Sequence, residues 1–171
     1  PNKLAPTSST TVQMAIGDAL AICLMELRNF KEQDFAKFHP GGSIGKNLTA
    51  KVEQFISSQK PLVEENSTIK DVIFSISSSK HGITVVMDGH KISGVITDGD
   101  LRRMLLKTDN IGGILAKDIM SKSPKTVEKD ALAKEALTVL KQNNIGQLIV
   151  TENGNYFGII DLHRLLDEGI N

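Results

Sequence analysis

The sequence predicts a mixed α/β (α+β) fold in which one helix–strand–strand–helix unit occurs twice. Gly82 recurs as Gly146 and Gly94 as Gly158, an offset of 64 residues. Apolar positions recur at the same offset, and so does the order of the predicted elements. A duplicated unit that cannot bury its own apolar face usually packs on its copy. We therefore expect residues from about 50 to 171 to form one pseudo-symmetric module with a cleft between its halves.

An apolar helix is predicted before the repeats. The hydroxyl residues at 7–11 can cap a helix, and apolar residues follow at helical spacing from Val12 to Leu27. The second half of this helix is apolar on almost every side, so we expect it to pack inside a larger body or against another subunit. Residues 1–48 are too few to close a core by themselves. Because the chain starts at Pro1 without a signal segment, we interpret it as a piece of a longer protein.

Residues 39–45 are predicted to form an irregular loop or linker, since they contain one proline and three glycines. Beyond them, the two repeats have the same predicted order of helices and strands. The predicted first helices cover 68–77 and 132–140, the first strands 83–87 and 147–151, the second strands 92–96 and 156–160, and the second helices 98–106 and 162–167. Between the strands lie Asp-Gly and Asn-Gly dipeptides, which favour tight turns.

Composition excludes several functional classes. The 20 basic and 20 acidic residues balance, so no overall charge favours nucleic acid. Cys23 is the only cysteine, which predicts no internal disulfide and favours a cytoplasmic location. The apolar run at 19–25 is far shorter than the roughly 20 residues of a membrane helix, so no membrane segment is expected. The spacing of the four histidines and Cys23 predicts no metal site.

Residues 94–101 read Gly-Val-Ile-Thr-Asp-Gly-Asp-Leu, and with the element order they resemble a cystathionine beta-synthase (CBS) domain. The two copies are similar to the tandem CBS pair that forms a nucleotide-sensing module. A helix that begins just after a strand directs its free N–H groups at a bound phosphate, and Thr97 adds a hydroxyl there. Asp100 can accept hydrogen bonds from ribose hydroxyls. The predicted nucleotide-binding residues are Thr97, Asp98, Asp100, Arg102 and Arg103.

A structural alternative exists for the same residues, because Thr97 and Asp100 also have the spacing of a capping box. We expect Asp100→Ala to leave the fold intact, as a surface helix substitution costs little. In the second copy, Asp161 replaces the threonine and Arg164 replaces the aspartate. A carboxylate repels phosphate, and arginine has no acceptor for ribose hydroxyls. At most one site is therefore expected to be intact, or the ligand is not a common adenine nucleotide.

The front of the chain resembles another family. Residues 4–11 (Leu-Ala-Pro-Thr-Ser-Ser-Thr-Thr), 17–20 (Gly-Asp-Ala-Leu), 38–42 (Phe-His-Pro-Gly-Gly) and 97–103 together are similar to the arabinose 5-phosphate isomerases, which join a sugar isomerase (SIS) domain to a CBS pair. The resemblance implies that the complete protein interconverts D-ribulose 5-phosphate and D-arabinose 5-phosphate, for Kdo and lipopolysaccharide biosynthesis. The reaction would move a proton between C1 and C2 through an enediol. The implied domains are 1–48 (SIS remnant and linker), 49–110 and 111–171 (CBS domains 1 and 2).

The resemblance also implies site residues and partners. His39 corresponds to the active-site histidine of the family; the alternative is a loop histidine that caps a helix end. Ser8, Ser9 and Thr10 would line the phosphosugar site, although helix capping explains them equally well. No cofactor is required, and the effector would be an adenine nucleotide or CMP-Kdo. The full-length protein would be a homotetramer, whereas this chain would be inactive and dimerise through its CBS pair.

Two other functions are compatible with parts of this sequence. One is a non-catalytic nucleotide-sensing CBS module, which would not need the His39 loop. The other is a phosphosugar-responsive transcription regulator, which would need a basic DNA-reading domain that the sequence does not contain.

Overall fold

The structure is a computed structural model that describes residues 5–39, 42–108 and 110–171. Three helices come first: α1 (Thr7–Leu27), α2 (Glu32–Phe38) and α3 (Ser43–Thr49). A short 3-10 helix (Val52–Phe55) leads into the first repeat, which contains β1 (Leu62–Glu64), α4 (Ile69–Ser79), β2 (Ile83–Asp88), β3 (Lys91–Thr97) and α5 (Asp98–Leu105). The second repeat contains α6 (Ala116–Ile119), β4 (Ser121–Lys122), β5 (Thr126–Glu128), α7 (Ala133–Asn143), β6 (Gln147–Glu152), β7 (Asn155–Asp161) and α8 (Leu162–Asp167).

The predicted mixed α/β duplication is confirmed. One sheet has the strand order β1-β2-β3-β4 and the other β5-β6-β7. In each repeat an antiparallel hairpin is flanked by a short parallel strand. The hairpin turns use left-handed residues, at Gly89 (φ +59°) in the first copy and at Asn153 and Gly154 in the second.

Each repeat begins with a segment that packs on the other repeat. Val52 N–H donates to Ala131 O at 2.9 Å, and Ala133 N–H donates to Ala50 O at 2.8 Å. The side chain of Val52 is buried in the core of the second repeat. Reciprocally, Ala116 N–H donates to Ser67 O at 2.9 Å, and Ala116 is buried in the core of the first repeat. The two copies therefore complete each other.

Two of the four recurring glycines, Gly94 and Gly158, are explained by this exchange. A Cβ on Gly94 would lie 2.7 Å from Ser121 O and 2.9 Å from Met120 Sδ. A Cβ on Gly158 would lie 2.5 Å from Ile56 Cγ2. At both positions the incoming segment crosses the second hairpin strand so closely that only glycine leaves room.

The two sheets pack against each other through an apolar layer. Strands β2, β3, β6 and β7 supply its side chains, which are Ile83, Val85, Met87, Ile149 and Ile159, with Ile92, Val95 and Tyr156 beside them. Burial raises the pKa of the Tyr156 hydroxyl, which donates to Pro61 O at 3.2 Å. This layer fixes the position of one repeat relative to the other and so shapes the cleft between them.

The prediction of an irregular loop through residue 45 is wrong for its last part, and Pro40 and Gly41 lie outside the described residues. α3 begins at Ser43, with Gly42 as its N-cap residue, because glycine is among the residues favoured at this position. α3 is attached to the C-terminal end of the chain. Lys46 Nζ contacts the Glu168 carboxylate at 3.3 Å, and Asn47 Nδ2 donates to Gly169 O at 3.1 Å.

The predicted N-terminal helix is confirmed as α1, and none of its residues is buried. Its length and a mean hydropathy of 1.3 over 18 residues are enough for a membrane span. Core helices of soluble proteins and signal segments have the same properties, so the absence of a membrane segment stays a prediction. The exposed apolar side chains of α1 lie on all sides of the helix; they include Val12, Met14, Ile16, Leu20, Ile22, Leu24, Met25 and Leu27.

Candidate functional site

A cleft of about 450 Å³ lies between the two repeats. Its apolar surface comes from Ile83 and Val95 of the first repeat and Ile149 of the second. The beginning of α5 forms one wall. The opposite walls are formed by the chain segments 121–125 and 144–147. The pseudo-symmetric packing therefore creates a site to which both repeats contribute.

At the wall formed by α5, Thr97 and Asp100 form a reciprocal capping box. Asp100 N–H donates to Thr97 Oγ1 at 3.3 Å, while Thr97 N–H donates to Asp100 Oδ2 at 2.9 Å. The Thr97 hydroxyl also donates to the same oxygen at 2.7 Å. The capping alternative is therefore confirmed for this pair. It leaves both side chains on the surface of the cleft, so contact with a ligand stays a prediction.

Arg103 occupies the second oxygen of Asp100. Its Nη2 lies 2.5 Å from Asp100 Oδ1. Burial is the largest single influence on the pKa of Asp100 and raises it, but the hydrogen bonds from Thr97 and Arg103 together outweigh burial and lower the pKa. The carboxylate is therefore ionised at neutral pH. Asp100 is only 8% exposed, so the expectation that it is a surface position is wrong.

Positive charge predominates in the cleft. Arg103, Lys122 and Lys125 line it, whereas Asp100 is the single carboxylate among its described lining residues. The carboxylate is already paired with Arg103. Such a site suits a ligand that combines a flat or apolar group with negative charge, because the apolar surface and the cations can each bind one part.

The structure brings together three of the five predicted ligand residues. Thr97, Asp100 and Arg103 line the cleft, but Asp98 and Arg102 are not among its lining residues. The carboxylate of Asp98 lies beside Gly82, where a Cβ would be 3.0 Å from Asp98 Oδ2. Only the predicted residues spaced three apart, at 97, 100 and 103, therefore reach the cleft.

Sequence reasoning missed the opposite walls. Ser121, Lys122, Ser123 and Lys125 come from the segment that enters the second repeat, and Asn144, Ile145 and Gln147 flank Gly146. Gly146 is the repeat equivalent of Gly82. Combining the 64-residue offset with two-fold packing would have placed the region around Gly146 opposite Thr97.

In the second copy, the residues at the equivalent positions make contacts within the protein. Asp161 accepts hydrogen bonds from His163 N–H at 2.8 Å and Arg164 N–H at 3.4 Å, so it is the N-cap of α8. Arg164 Nη1 donates to Ile56 O at 3.3 Å. Ser57 Oγ and His81 Nε2 are 2.6 Å apart. Asp161 and Arg164, which stand where the first copy has Thr97 and Asp100, thus both hydrogen-bond within the protein.

His39 is the C-cap residue of α2. Its N–H donates to Phe35 O at 3.0 Å, and its ring lies 4.6 Å from the Phe35 ring. The side chain is exposed. The backbone of His39 therefore caps the end of α2, as the structural alternative predicted. Its imidazole is exposed, and the catalytic role of this side chain stays a prediction.

The hydroxyls at the start of α1 do not cap the helix. The N-cap residue is Pro6, and Ser9 and Thr10 donate to Pro6 O at 3.0 and 2.9 Å. Capping requires an acceptor for free N–H groups, and these hydroxyls act as donors to a carbonyl instead. Capping is therefore wrong as the explanation of Ser8, Ser9 and Thr10, which are all exposed. Their place in a phosphosugar site stays a prediction.

No group of three His, Cys, Asp or Glu side chains could hold a metal ion within residues 5–39, 42–108 and 110–171. Cys23 is exposed on α1.

Comparisons with known proteins identify relatives of both parts of the chain. The sequence model of the CBS domain matches residues 52–107 and 116–171. An arabinose 5-phosphate isomerase of Escherichia coli is 40% identical over 168 residues, which cover 98% of this chain and 51% of that protein. A second, from Pseudomonas aeruginosa, is 40% identical over 174 residues, which cover 99% and 53%. The chain spans about half the length of the curated relatives it matches.

Solved structures share the fold of the repeats. A CBS domain protein from Pyrobaculum aerophilum, complexed with AMP, has a TM-score of 0.61 at 20% identity and covers 67% of this chain and 89% of that one. CBSX2, also in complex with AMP, has a TM-score of 0.56 at 22% identity and covers 68% and 93%.

Proposed function

Because the chain belongs to the CBS domain family, we propose that its paired repeats form the nucleotide-responsive regulatory module of a sugar-phosphate isomerase. The observation that carries the binding half of this proposal is the cleft at the start of α5. It combines a buried, ionised Asp100 with three cations and an apolar surface. The relatives at 40% identity over almost the whole chain support the enzymatic half.

The proposed ligand is an adenine nucleotide or CMP-Kdo. Ribose hydroxyls would donate to Asp100, since an ionised carboxylate accepts such pairs of hydrogen bonds. Phosphate would contact Thr97 and the cations Arg103, Lys122 and Lys125, and the base would lie on the apolar surface. AMP in two proteins of the same fold supports this choice. The ligand acts as an effector, and the reaction itself needs no cofactor.

The proposed isomerase reaction uses residues in front of the repeats together with a domain that this chain does not contain. The full-length protein interconverts D-ribulose 5-phosphate and D-arabinose 5-phosphate, which is the entry to the lipopolysaccharide sugar Kdo. His39 moves a proton or assists ring opening, which suits an imidazole whose ordinary pKa is near neutrality. Ser8, Ser9 and Thr10 face the phosphosugar. The exposed apolar surface of α1 packs in that domain, and the full-length protein is a tetramer in the cytoplasm.

Two experiments test the two halves separately. Calorimetric titration of this chain with AMP, ATP, CMP and CMP-Kdo should detect one site per chain. The binding half fails if none gives heat at millimolar concentration. Conversion of D-arabinose 5-phosphate by the full-length protein tests the isomerase half, and the isolated chain should be inactive. A full-length protein that binds nucleotide but leaves the sugar unchanged would support the non-catalytic sensor.

A further inference from the structure

We infer that Arg103 acts as a latch: its hydrogen bond to Asp100 must be released by a ligand phosphate before the ribose can bind. This inference rests on the proposed nucleotide site. The latch makes Arg103 the residue that distinguishes nucleotides from nucleosides.

A carboxylate offers about four lone-pair positions. Asp100 uses three: Oδ2 accepts from the Thr97 N–H and hydroxyl, and Oδ1 accepts from Arg103. One position remains, whereas the two hydroxyls of a ribose need two. One of the present donors must therefore leave when a ribose binds in the proposed way.

Arg103 is the donor that can leave. The other two donors are the backbone N–H and the hydroxyl of Thr97, the N-cap residue of α5, so their release would break the capping box. The Arg103 side chain is 65% exposed, and an ion pair with an exposed partner contributes little to stability. Arg103 also borders a second cavity of about 510 Å³ on α5, so its side chain adjoins open space outside the cleft.

The phosphate supplies a better partner for the released guanidinium. Arginine matches phosphate with two parallel hydrogen bonds, and Lys122 and Lys125 line the same cleft. A nucleotide can therefore exchange the Arg103 partner from carboxylate to phosphate. A nucleoside lacks the phosphate and must displace Arg103 without compensation.

The test compares adenosine with AMP, and cytidine with CMP, by calorimetry on the wild type and on Arg103→Met. Removing the latch should strengthen nucleoside binding about threefold. Losing the phosphate contact should weaken nucleotide binding about tenfold or more. Arg102→Met is the matched control, because this neighbouring arginine does not line the cleft; it should change neither affinity by more than about twofold.

The outcomes separate the latch from the site itself. If Arg103→Met weakens nucleotides but leaves nucleoside affinity unchanged, Arg103 is a plain phosphate contact and the latch is wrong. If the wild type binds none of the four compounds, the proposed site is wrong and the latch falls with it. Thermal unfolding of each variant checks the fold. Arg103→Ala repeats the test should the Met variant fold poorly, because alanine has the highest helix propensity.

Discussion

Replacing Asp100 with alanine tests whether this carboxylate binds ligand. Asp71 provides a matched control, which separates the loss of a helix cap from the loss of a ligand contact. Both residues close a capping box with a threonine three positions earlier. The distance from the threonine N–H to the carboxylate is 2.9 Å for Asp100 and 3.0 Å for Asp71, and the hydroxyl contact is 2.7 Å in both. Asp71, however, is exposed and lies outside the cleft.

The stability cost can be worked from these contacts. Loss of a helix cap lowers the free energy of unfolding by about 1 kcal/mol. Asp100 also loses its pair with Arg103, which adds less than about 1 kcal/mol because the arginine is largely exposed. We expect Asp100→Ala to lower the melting temperature by about 3 to 8 °C and Asp71→Ala by about 3 °C. Both variants should remain folded.

Thermal unfolding and calorimetric titration with AMP and CMP-Kdo give the answer. Asp71→Ala should bind like the wild type. Asp100→Ala should lose about tenfold or more in affinity, since hydrogen bonds to charged groups are among the strong ones. Wild-type affinity in Asp100→Ala would refute the ligand contact, and an equal loss in both variants would mean that capping alone explains the effect.

Substitutions of Gly94, Asp100 and His39 test other parts of the structure. Gly94→Ala should lower the free energy of unfolding, measured by denaturant titration, by about 1 to 3 kcal/mol, because the added Cβ meets Ser121 O. Gly146→Ala is the control: its Cβ meets open space, so it should cost less than about 1 kcal/mol. Equal costs would contradict the exchanged packing. Because the pKa of Asp100 is lowered in the folded protein, its ionised form stabilises the fold above the ordinary pKa of about 4, and this contribution is lost as the pH falls further. In Asp100→Asn, the free energy of unfolding should therefore fall less steeply with decreasing pH below about pH 4. An unchanged slope would contradict this prediction. His39→Ala should reduce turnover of the full-length isomerase by about a hundredfold, and a wild-type rate would leave this residue without a catalytic role.

The duplicated fold could be predicted because the sequence keeps an exact register between its copies. Glycines at 82 and 146 and at 94 and 158 mark equivalent backbone positions. The four longer helices of the repeats (α4, α5, α7 and α8) and their hairpin strands fall within a few residues of the predicted bounds. The short parallel strands β1 and β5 were not predicted. Three residues carry too little periodicity to be recognised, and these strands exist because β2 and β6 provide a pairing edge.

The site could be predicted only in part. The capping spacing of Thr97 and Asp100 is visible in the sequence, but the burial of Asp100, which is only 8% exposed, is not. Lys122 and Lys125 reach the cleft because their segment is exchanged between the copies, and no local pattern indicates such an exchange. Long-range packing thus decided which charges surround the carboxylate.

An amide chemical-shift titration of the chain with AMP and CMP-Kdo tests the central claim most directly. Binding in the cleft predicts shifts that saturate together at Thr97, Lys122 and Gly146, which lie on three sides of it. Asp161, at the equivalent position of the second copy, should stay unchanged. Shifts confined to the second copy, or no shifts at saturating nucleotide, would contradict it.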